Sequence, residues 1–213
     1  PTSVTNALNQ VTTYEYDYSL GKPKRIIDIN GYSFYTDYDG LDRAMAERIP
    51  DVGNPSTSVT KTSYDYIDTP NAIRVKQTNY LDANNGVEHY TYFDGLGRKI
   101  QERQEAASSG QFTVRDFVYT QRDLLLKESL PYESSGSDRT TATSSNNLYT
   151  NYTYDTLKRV TTAQTVVGST TNVYDDWKTT VTDAKGKIKD LYKDAYDNLI
   201  QVNEHNGSTT YST

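Results

Sequence analysis

The middle of the chain reads Tyr92-Phe93-Asp94-Gly95-Leu96-Gly97-Arg98, and variants of this phrase recur along most of its 213 residues. The full phrase has an aromatic residue, an aspartate, two or three further residues, often a glycine and then often a basic residue. A second clear copy is Tyr38-Asp39-Gly40-Leu41-Asp42-Arg43, and weaker copies begin at Tyr154 and at Asp183. A phrase that recurs through a whole chain indicates a repeat architecture, because catalytic machinery is usually present once.

The composition of the phrase predicts turns between β-strands. An aspartate followed three residues later by a glycine, as at Asp94 and Gly97, is typical of a type I turn. The carboxylate can accept backbone N–H groups inside the turn, and glycine tolerates the positive φ with which the chain enters the next strand. Where the copies are cleanest, at Asp17, Asp28 and Asp39, the aspartates stand 11 residues apart, which leaves about seven residues for each strand.

We assign to the repeat motif the residues that open these turns and the glycines or basic residues that close them. They are Tyr16, Asp17, Asp28, Gly31, Tyr38, Asp39, Arg43, Asp94, Gly97, Arg98, Tyr154, Asp155, Arg159, Asp183, Gly186 and Asp194. The basic residues, Lys187 included, are expected to pair with an aspartate of a neighbouring repeat or to stack on a tyrosine. One copy has Lys158 where others have glycine, and the strain of a positive φ there predicts a turn of different geometry.

The segments between the turns alternate as strands do, for example in Tyr14-Glu15-Tyr16-Asp17-Tyr18, and no long window has helical periodicity. We therefore predict an all-β fold, an antiparallel hairpin meander of the repeats. It should form a curved, shell-like sheet, because open sheets rarely exceed about ten strands without curling or splitting. The prediction for domains is a single repeat array over residues 1–213, a fragment of a larger protein, with a flexible polar loop near 134–147.

Together these phrases resemble the RHS or YD-repeat family, from about Tyr14 to Val202. The resemblance implies long antiparallel hairpins that wind into a hollow shell, commonly around a toxic C-terminal domain. Such shells belong to bacterial secreted or surface proteins, including insecticidal toxin complexes and polymorphic toxins. The implied function is a non-enzymatic structural module whose partners are the remaining repeats and an enclosed toxin domain. The family's self-cleaving segment, with its Asp-Pro pair, has no match in this sequence.

The composition restricts the possible folds, partners and chemistry of the chain. The hydrophobic content is only 34% and the mean hydropathy −0.80, but twenty tyrosines favour a thin, tyrosine-faced sheet over disorder. A net charge of −6 disfavours nucleic acid as a partner, and no apolar run is long enough to span a membrane. Without cysteine the chain has no disulfide or thiol chemistry. Exposed end strands could allow self-association.

Other functions remain as alternatives. Exposed tyrosines beside acids and amides suit a module that binds glycans or proteins at a cell surface. Two facing aspartates could act as a hydrolase pair, and the stretches Asp28–Gly31 and Asp82–Gly86 offer oxygen ligands to calcium without the spacing of an EF-hand. The two histidines, His89 and His205, lie far apart in sequence and outside any catalytic motif. We expect no enzymatic activity, no cofactor and no metal.

Overall fold

The computed structural model describes residues 2–69, 73–140, 148–206 and 209–212. Within these ranges the regular secondary structure consists of β-strands, and no helix is present. The chain divides into two compact units. The first unit comprises Pro1–Thr113 and Glu133–Arg139, and the second comprises Val114–Tyr132 and Thr140–Thr213.

The first unit is a meander in which each strand pairs antiparallel with the next one in sequence. Its strands are β1 (Ser3–Thr5), β2 (Val11–Asp17), β3 (Lys22–Ile27), β4 (Ser33–Tyr38), β5 (Ala44–Pro50), β6 (Ser58–Ile67), β7 (Arg74–Tyr80), β8 (Gly86–Phe93) and β9 (Lys99–Glu105).

Strand β10 (Gln111–Tyr119) continues from the first unit into the second. The strands that follow are β11 (Leu125–Ser129), β12 (Tyr132–Ser135), β13 (Tyr149–Tyr154), β14 (Val160–Thr165), β15 (Gly168–Asp175), β16 (Lys178–Thr182), β17 (Ile188–Lys193), β18 (Leu199–Asn206) and β19 (Thr209–Ser212). In the second unit β11 pairs with β10 and β13, and from β13 to β19 each strand pairs antiparallel with its successor.

This arrangement confirms the predicted fold class, an all-β meander of antiparallel hairpins. The predicted flexible loop begins too early, because Ser134 and Ser135 belong to β12. Residues 136 and 137 accept hydrogen bonds described below, Asp138 accepts one from Arg74 at 3.0 Å, and residues 141–147 lie outside the described residues. That the repeats form one array within a larger protein stays a prediction.

Each unit has a small core. In the first unit it consists of Tyr90, Tyr92 and Phe112, with the rings of Tyr90 and Phe112 packed edge to face at 5.8 Å between centroids. In the second unit Val114 and Phe117 are buried. Many other large apolar side chains are partly exposed, which agrees with the low hydrophobic content of the sequence. The sheet is therefore held largely by its backbone ladder and its polar contacts.

A buried arginine fixes the segment Glu133–Arg139, which we call the anchored segment. Arg103 has 0% of its surface exposed and donates hydrogen bonds to the carbonyls of Gly136 (2.7 Å) and Ser135 (3.2 Å). The Tyr92 hydroxyl donates to the Ser137 carbonyl at 2.5 Å. Because a buried guanidinium must satisfy its donors, Arg103 links this segment to the core of the first unit.

Candidate functional site: the Tyr–Asp turns

The turns opened by the repeated phrase are three-residue hairpin loops, and the one at Asp94 illustrates their geometry. The Asp94 N–H donates to the Arg98 carbonyl, and the Gly97 N–H donates to the Asp94 carbonyl, both at 3.0 Å. Gly97 has a φ of 77°. A type I turn followed by a left-handed residue gives a bulge, and the register of β8 and β9 shifts there accordingly.

The bonds at the bulge explain why an aspartate opens this turn. The N–H of Arg98, beside the bulge, donates to Asp94 Oδ1 at 3.0 Å. The same oxygen accepts the N–H of Leu96 at 2.9 Å, while Oδ2 accepts Arg98 Nε at 2.7 Å. Both carboxylate oxygens are thus used inside the turn, where Oδ1 satisfies backbone donors.

Other turns repeat this arrangement of bonds. A carboxylate oxygen accepts the N–H groups two and four residues further on at Asp28, Asp39, Asp183 and Asp194. Asp155 accepts the N–H of Arg159 in the same way. Thr120 stands where other copies have aspartate, and its hydroxyl accepts the N–H groups of Arg122 and Leu124. The turn at Asp17 is one residue longer, with the Gly21 N–H bonded to the Asp17 carbonyl.

The closing position of these turns lies in the left-handed region whichever residue occupies it. The glycines Gly31, Gly97 and Gly186 have φ values of 82°, 77° and 75°. Lys158 has a φ of 66° and donates its N–H to the Asp155 carbonyl, as a glycine would. The prediction of a different geometry at Lys158 is therefore wrong. The bonds of the turn hold the lysine in a conformation that costs roughly 1 kcal/mol.

The basic residues bond to the aspartate of their own turn, which was not predicted, and Arg43 and Arg159 also stack on tyrosine rings as predicted. Such pairs join Arg43 to Asp39, Arg98 to Asp94 and Arg159 to Asp155, at 2.6–2.8 Å. Arg43 also bonds to Asp68, in the turn that follows β6, and this pair is the predicted contact with an aspartate of another turn. Lys187 contributes its backbone N–H to Asp183. Because these side chains are partly exposed, each pair contributes about 0–1 kcal/mol.

In four of the phrases the tyrosine reaches back to an earlier turn, whereas Tyr92 donates forward to Ser137. We call the hydrogen bond to the earlier turn the tyrosine–carbonyl contact. The Tyr66 hydroxyl donates to the carbonyl of Ala44, the residue after Arg43, and the Arg43 guanidinium lies 4.1 Å from the centre of the Tyr66 ring. In the second unit Tyr174 donates to the Val160 carbonyl in the same way, under the guanidinium of Arg159 at 4.2 Å.

Two further contacts have the same form. Tyr38 donates to the Pro23 carbonyl at 3.1 Å, with Lys22 Nζ 5.3 Å from its ring centre. Tyr154 donates to the Leu125 carbonyl at 2.7 Å. Burial raises the pKa of Tyr66 and Tyr154, so these hydroxyls keep the proton that they donate.

The tyrosine and the aspartate of one phrase therefore stabilise two different turns. The aspartate closes the turn that it opens, and the tyrosine fastens the start of the neighbouring strand beside the earlier turn. The sequence assignment missed Tyr66 and Tyr174, although an aspartate follows each of them within two residues. It also missed Arg103, whose burial depends on a segment more than thirty residues away in sequence.

The electrostatics of the turn aspartates oppose acid catalysis. The pKa lies below its ordinary value for Asp17, Asp39, Asp94, Asp155, Asp183 and Asp194. At Asp39, Asp155 and Asp183 the main cause is the backbone N–H four residues further on, which stabilises the ionised carboxylate. A general acid needs the opposite shift, so these residues do not supply the acid of a hydrolase pair.

The calcium candidates have their oxygens engaged as well. Asp82 Oδ1 accepts the N–H groups of Asn84 and Asn85, and Asp28 Oδ1 accepts those of Asn30 and Tyr32. Over the described ranges, no group of three or more His, Cys, Asp or Glu residues is arranged to hold a metal ion.

The two histidines lie on β8 and β18. His205 Nε2 is 3.0 Å from Asp190 Oδ2, and Thr180 donates to the other oxygen of the same carboxylate. Burial lowers the pKa of His89. In the part of the chain that the structure describes, no helix is long and apolar enough to cross a membrane.

A family model matches residues 66–176, which is more than half of the chain, and its description is "domain of unknown function" DUF6443. The chain belongs to the DUF6443 family. No curated protein sequence matches this DUF6443 chain.

Solved structures extend the comparison beyond the family model. The chain is similar to the crystal structure of TcdB2-TccC3 without its hypervariable C-terminal region, with a TM-score of 0.68 and 10% identity over 99% of this chain. It is similar to the crystal structure of TcdB2-TccC3-Cdc42 with a TM-score of 0.69, 10% identity and the same coverage. At this identity the likeness shows a shared fold, and the chain spans only 16% of each of those chains.

Proposed function

We propose that this chain is a non-enzymatic structural module of the RHS or YD-repeat type. It forms part of a β-shell that encloses or presents a toxin or effector domain in a bacterial secreted or surface protein. The observation that carries the proposal is the shared fold with the two TcdB2-TccC3 crystal structures over 99% of the chain. The remaining repeats of the parent shell and the enclosed domain are the partners that follow from it.

The contacts between the hairpins and the small cores suit a chain that forms part of the wall of a β-shell. Four tyrosines fasten a strand to the start of an earlier one in the same way, so strands can be added with a contact that the chain already repeats. The cores are small, so stability depends little on a thick apolar interior. The turn aspartates already act as hydrogen-bond acceptors, which explains their number without any catalytic role.

The test is cryo-electron microscopy of the full parent polypeptide. We expect a hollow shell with residues 1–213 in its wall and density for an enclosed domain. In limited proteolysis of the native sample the enclosed domain should stay intact. After denaturation of the sample the same protease should cleave the domain rapidly. A parent protein in which these residues form a separate solid domain, with no cavity beside them, would contradict the proposal.

Two exposed aromatic residues favour a second function, binding of a glycan or of a cell-surface protein. Trp177 and Tyr196 are 61% and 87% exposed, and both lie in turns of the second unit. Exposed rings of this kind can stack on sugars. Binding to a glycan array that Trp177→Ala abolishes and Leu157→Ala preserves would support this function. Absence of binding to glycans and to cells would exclude it.

A further inference from the structure

A cavity of about 320 Å³ lies in the first unit, beside the turn from β3 to β4 and the loop from β5 to β6. These two connections form its walls with residues 30–32 and 55–57, and its floor consists of Arg25, Ser33 and Tyr35. The floor residues share one face of the sheet, because Arg25 pairs directly with Tyr35 and Ser33 stands two residues before Tyr35. The volume is at the lower end for small-molecule sites, which suits a ligand the size of one sugar residue.

Two groups on the floor of this cavity can still donate hydrogen bonds. Arg25 donates Nε and Nη2 to Ser33 Oγ at 3.2 and 2.9 Å, and Nη1 to Glu15 Oε1 at 2.9 Å. A guanidinium has five N–H groups, so two of them remain for a ligand after these three bonds. Ser33 Oγ accepts both bonds from Arg25 and keeps its own proton to donate. Among the described residues, those that line the cavity include this arginine and no Asp or Glu, so the floor favours a negatively charged acceptor.

The guanidinium of Arg25 is held in place by a tyrosine that it shares with a second arginine. Tyr35 pairs directly with Arg25 on β3 and with Arg48 on β5, and its ring centre is 5.5 Å and 5.0 Å from the two guanidinium carbons. Arg48 pairs with Asp37 at 2.8 Å and does not line the cavity. The two arginines therefore have similar surroundings, and they differ in their access to the cavity.

The walls of the cavity supply groups that suit a sugar. Tyr32 is 42% exposed, and an accessible ring can pack on the apolar face of a sugar. Asn30 and Ser56 offer an amide and a hydroxyl, and Thr57 Oγ1, which donates to the Asn54 carbonyl, can accept a bond from a ligand. An aromatic ring with a few convergent polar groups is the usual composition of a site for a small ligand.

We propose that this cavity binds one carboxylate-bearing sugar residue of a glycan. The carboxylate accepts an N–H group of Arg25 and the hydroxyl proton of Ser33, and the sugar ring packs on Tyr32. The inference rests on the second proposed function, glycan binding, to which it gives a class of ligand and a site other than Trp177. It is independent of whether the chain forms part of a shell.

The test is an NMR titration of the isotope-labelled chain with methyl β-D-glucuronide and, separately, with the neutral methyl β-D-glucoside. The glucuronide should shift the amide signals of residues 30–33 and 55–57 until they saturate. It should bind about 10-fold or more tightly than the glucoside, because a charge-assisted hydrogen bond accounts for a ratio of this size.

Three variants assign the preference to the cavity. Arg25→Gln should remove the preference for the glucuronide. Arg48→Gln is the matched control, because it removes a charge, an ion pair and a contact with the same ring outside the cavity, and it should keep the preference. Glu15→Gln should raise the affinity for the glucuronide by up to about 5-fold, because Glu15 competes for Arg25 in an exposed ion pair.

Several outcomes would overturn the proposal. Equal affinity for the two sugars, or no shift of these amides by either sugar at millimolar concentration, would do so. So would an equal loss of binding in Arg25→Gln and Arg48→Gln, because the loss would then come from the fold. Acetate that binds as tightly as the glucuronide would show a site for any carboxylate and not for a sugar.

A further variant does not disturb the cross-strand ladder of Arg25. Tyr32→Ala replaces an exposed ring and should weaken the binding of the glucuronide, and unchanged binding would contradict the proposed packing of the sugar. Binding to a glycan array that Trp177→Ala abolishes and Arg25→Gln leaves unchanged would refute this inference and leave the second function intact.

Discussion

Arg103 is the residue whose replacement should affect the first unit most. Its guanidinium donates to the Gly136 carbonyl at 2.7 Å, to the Ser135 carbonyl at 3.2 Å and to Gln101 Oε1 at 3.2 Å, and none of its surface is exposed. Arg103→Met keeps much of the side-chain volume and removes these donors. The two carbonyls and the buried amide oxygen then lose their charged partner.

The magnitude follows from the number of bonds and their burial. Hydrogen bonds to a charged group contribute about 1.5–3 kcal/mol each, and bonds that share one donor group are not additive. Leaving a buried acceptor without its partner costs about 1–3 kcal/mol, so the loss of the three bonds should cost about 3–5 kcal/mol in total. For a chain of this length this corresponds to a fall in melting temperature on the order of 10 °C.

Two measurements check this prediction. Thermal unfolding followed by circular dichroism gives the melting temperature, and hydrogen exchange by mass spectrometry gives the protection of residues 133–139. Both should decrease in Arg103→Met. Arg122→Met, at an exposed arginine in the turn of Thr120, is the matched control and should change neither. If Arg103→Met melted like the parent chain, or lost stability with residues 133–139 still protected, the anchoring role of Arg103 would be wrong.

Three further predictions concern the turns. Tyr66→Phe removes one tyrosine–carbonyl contact and should cost about 1 kcal/mol, lowering the melting temperature by about 2–4 °C, whereas Tyr18→Phe should have no effect. Lys158→Gly relieves a positive φ of 66° and should stabilise the chain by about 0.5–1 kcal/mol in urea unfolding, whereas Lys185→Gly, which has no positive φ to relieve, should not. The pKa of turn aspartates such as Asp39 is lowered from 3.8 in the folded state, so their stabilisation is present above that value and is lost as the pH falls through the lowered pKa. Melting temperatures between pH 2 and 7 should show this loss even in high salt, because short bonds to backbone N–H groups carry it; a profile flat below pH 4 would contradict it.

Local rules account for what the sequence predicted well. The bond from the Gly97 N–H to the Asp94 carbonyl depends on four consecutive residues, so the sequence is sufficient to place it. Alternation of side chains along a strand is equally local, and it led to the all-β antiparallel fold. The wrong prediction of the turn geometry at Lys158 has a local cause too, because it considered only the steric cost of a positive φ for a lysine. The bonds of the whole turn outweigh that cost, and the lysine takes the conformation of a glycine.

The backbone partners in the contacts between repeats could not be predicted from the sequence. The partner of Tyr66 is the carbonyl of Ala44, and nothing in the identity of an alanine marks its backbone as an acceptor. The burial of Arg103 requires the anchored segment to return to the first unit after β11, which depends on the path of the chain and not on composition. Side chains that bond to backbone atoms of other strands leave no matching signal at the partner position.

The direction of the tyrosine–carbonyl contact has a consequence for synthesis on the ribosome. When Tyr66 emerges, its acceptor Ala44 has already been made, and the same holds for Tyr174 and Val160. The hairpins that carry Tyr66 and Tyr174 can therefore be secured by this contact as soon as they leave the exit tunnel, whereas Tyr92 and Arg103 must wait for residues 135–137. Short sequence separations of this kind favour rapid folding, and a nascent chain of this design exposes only its most recent strand to other proteins.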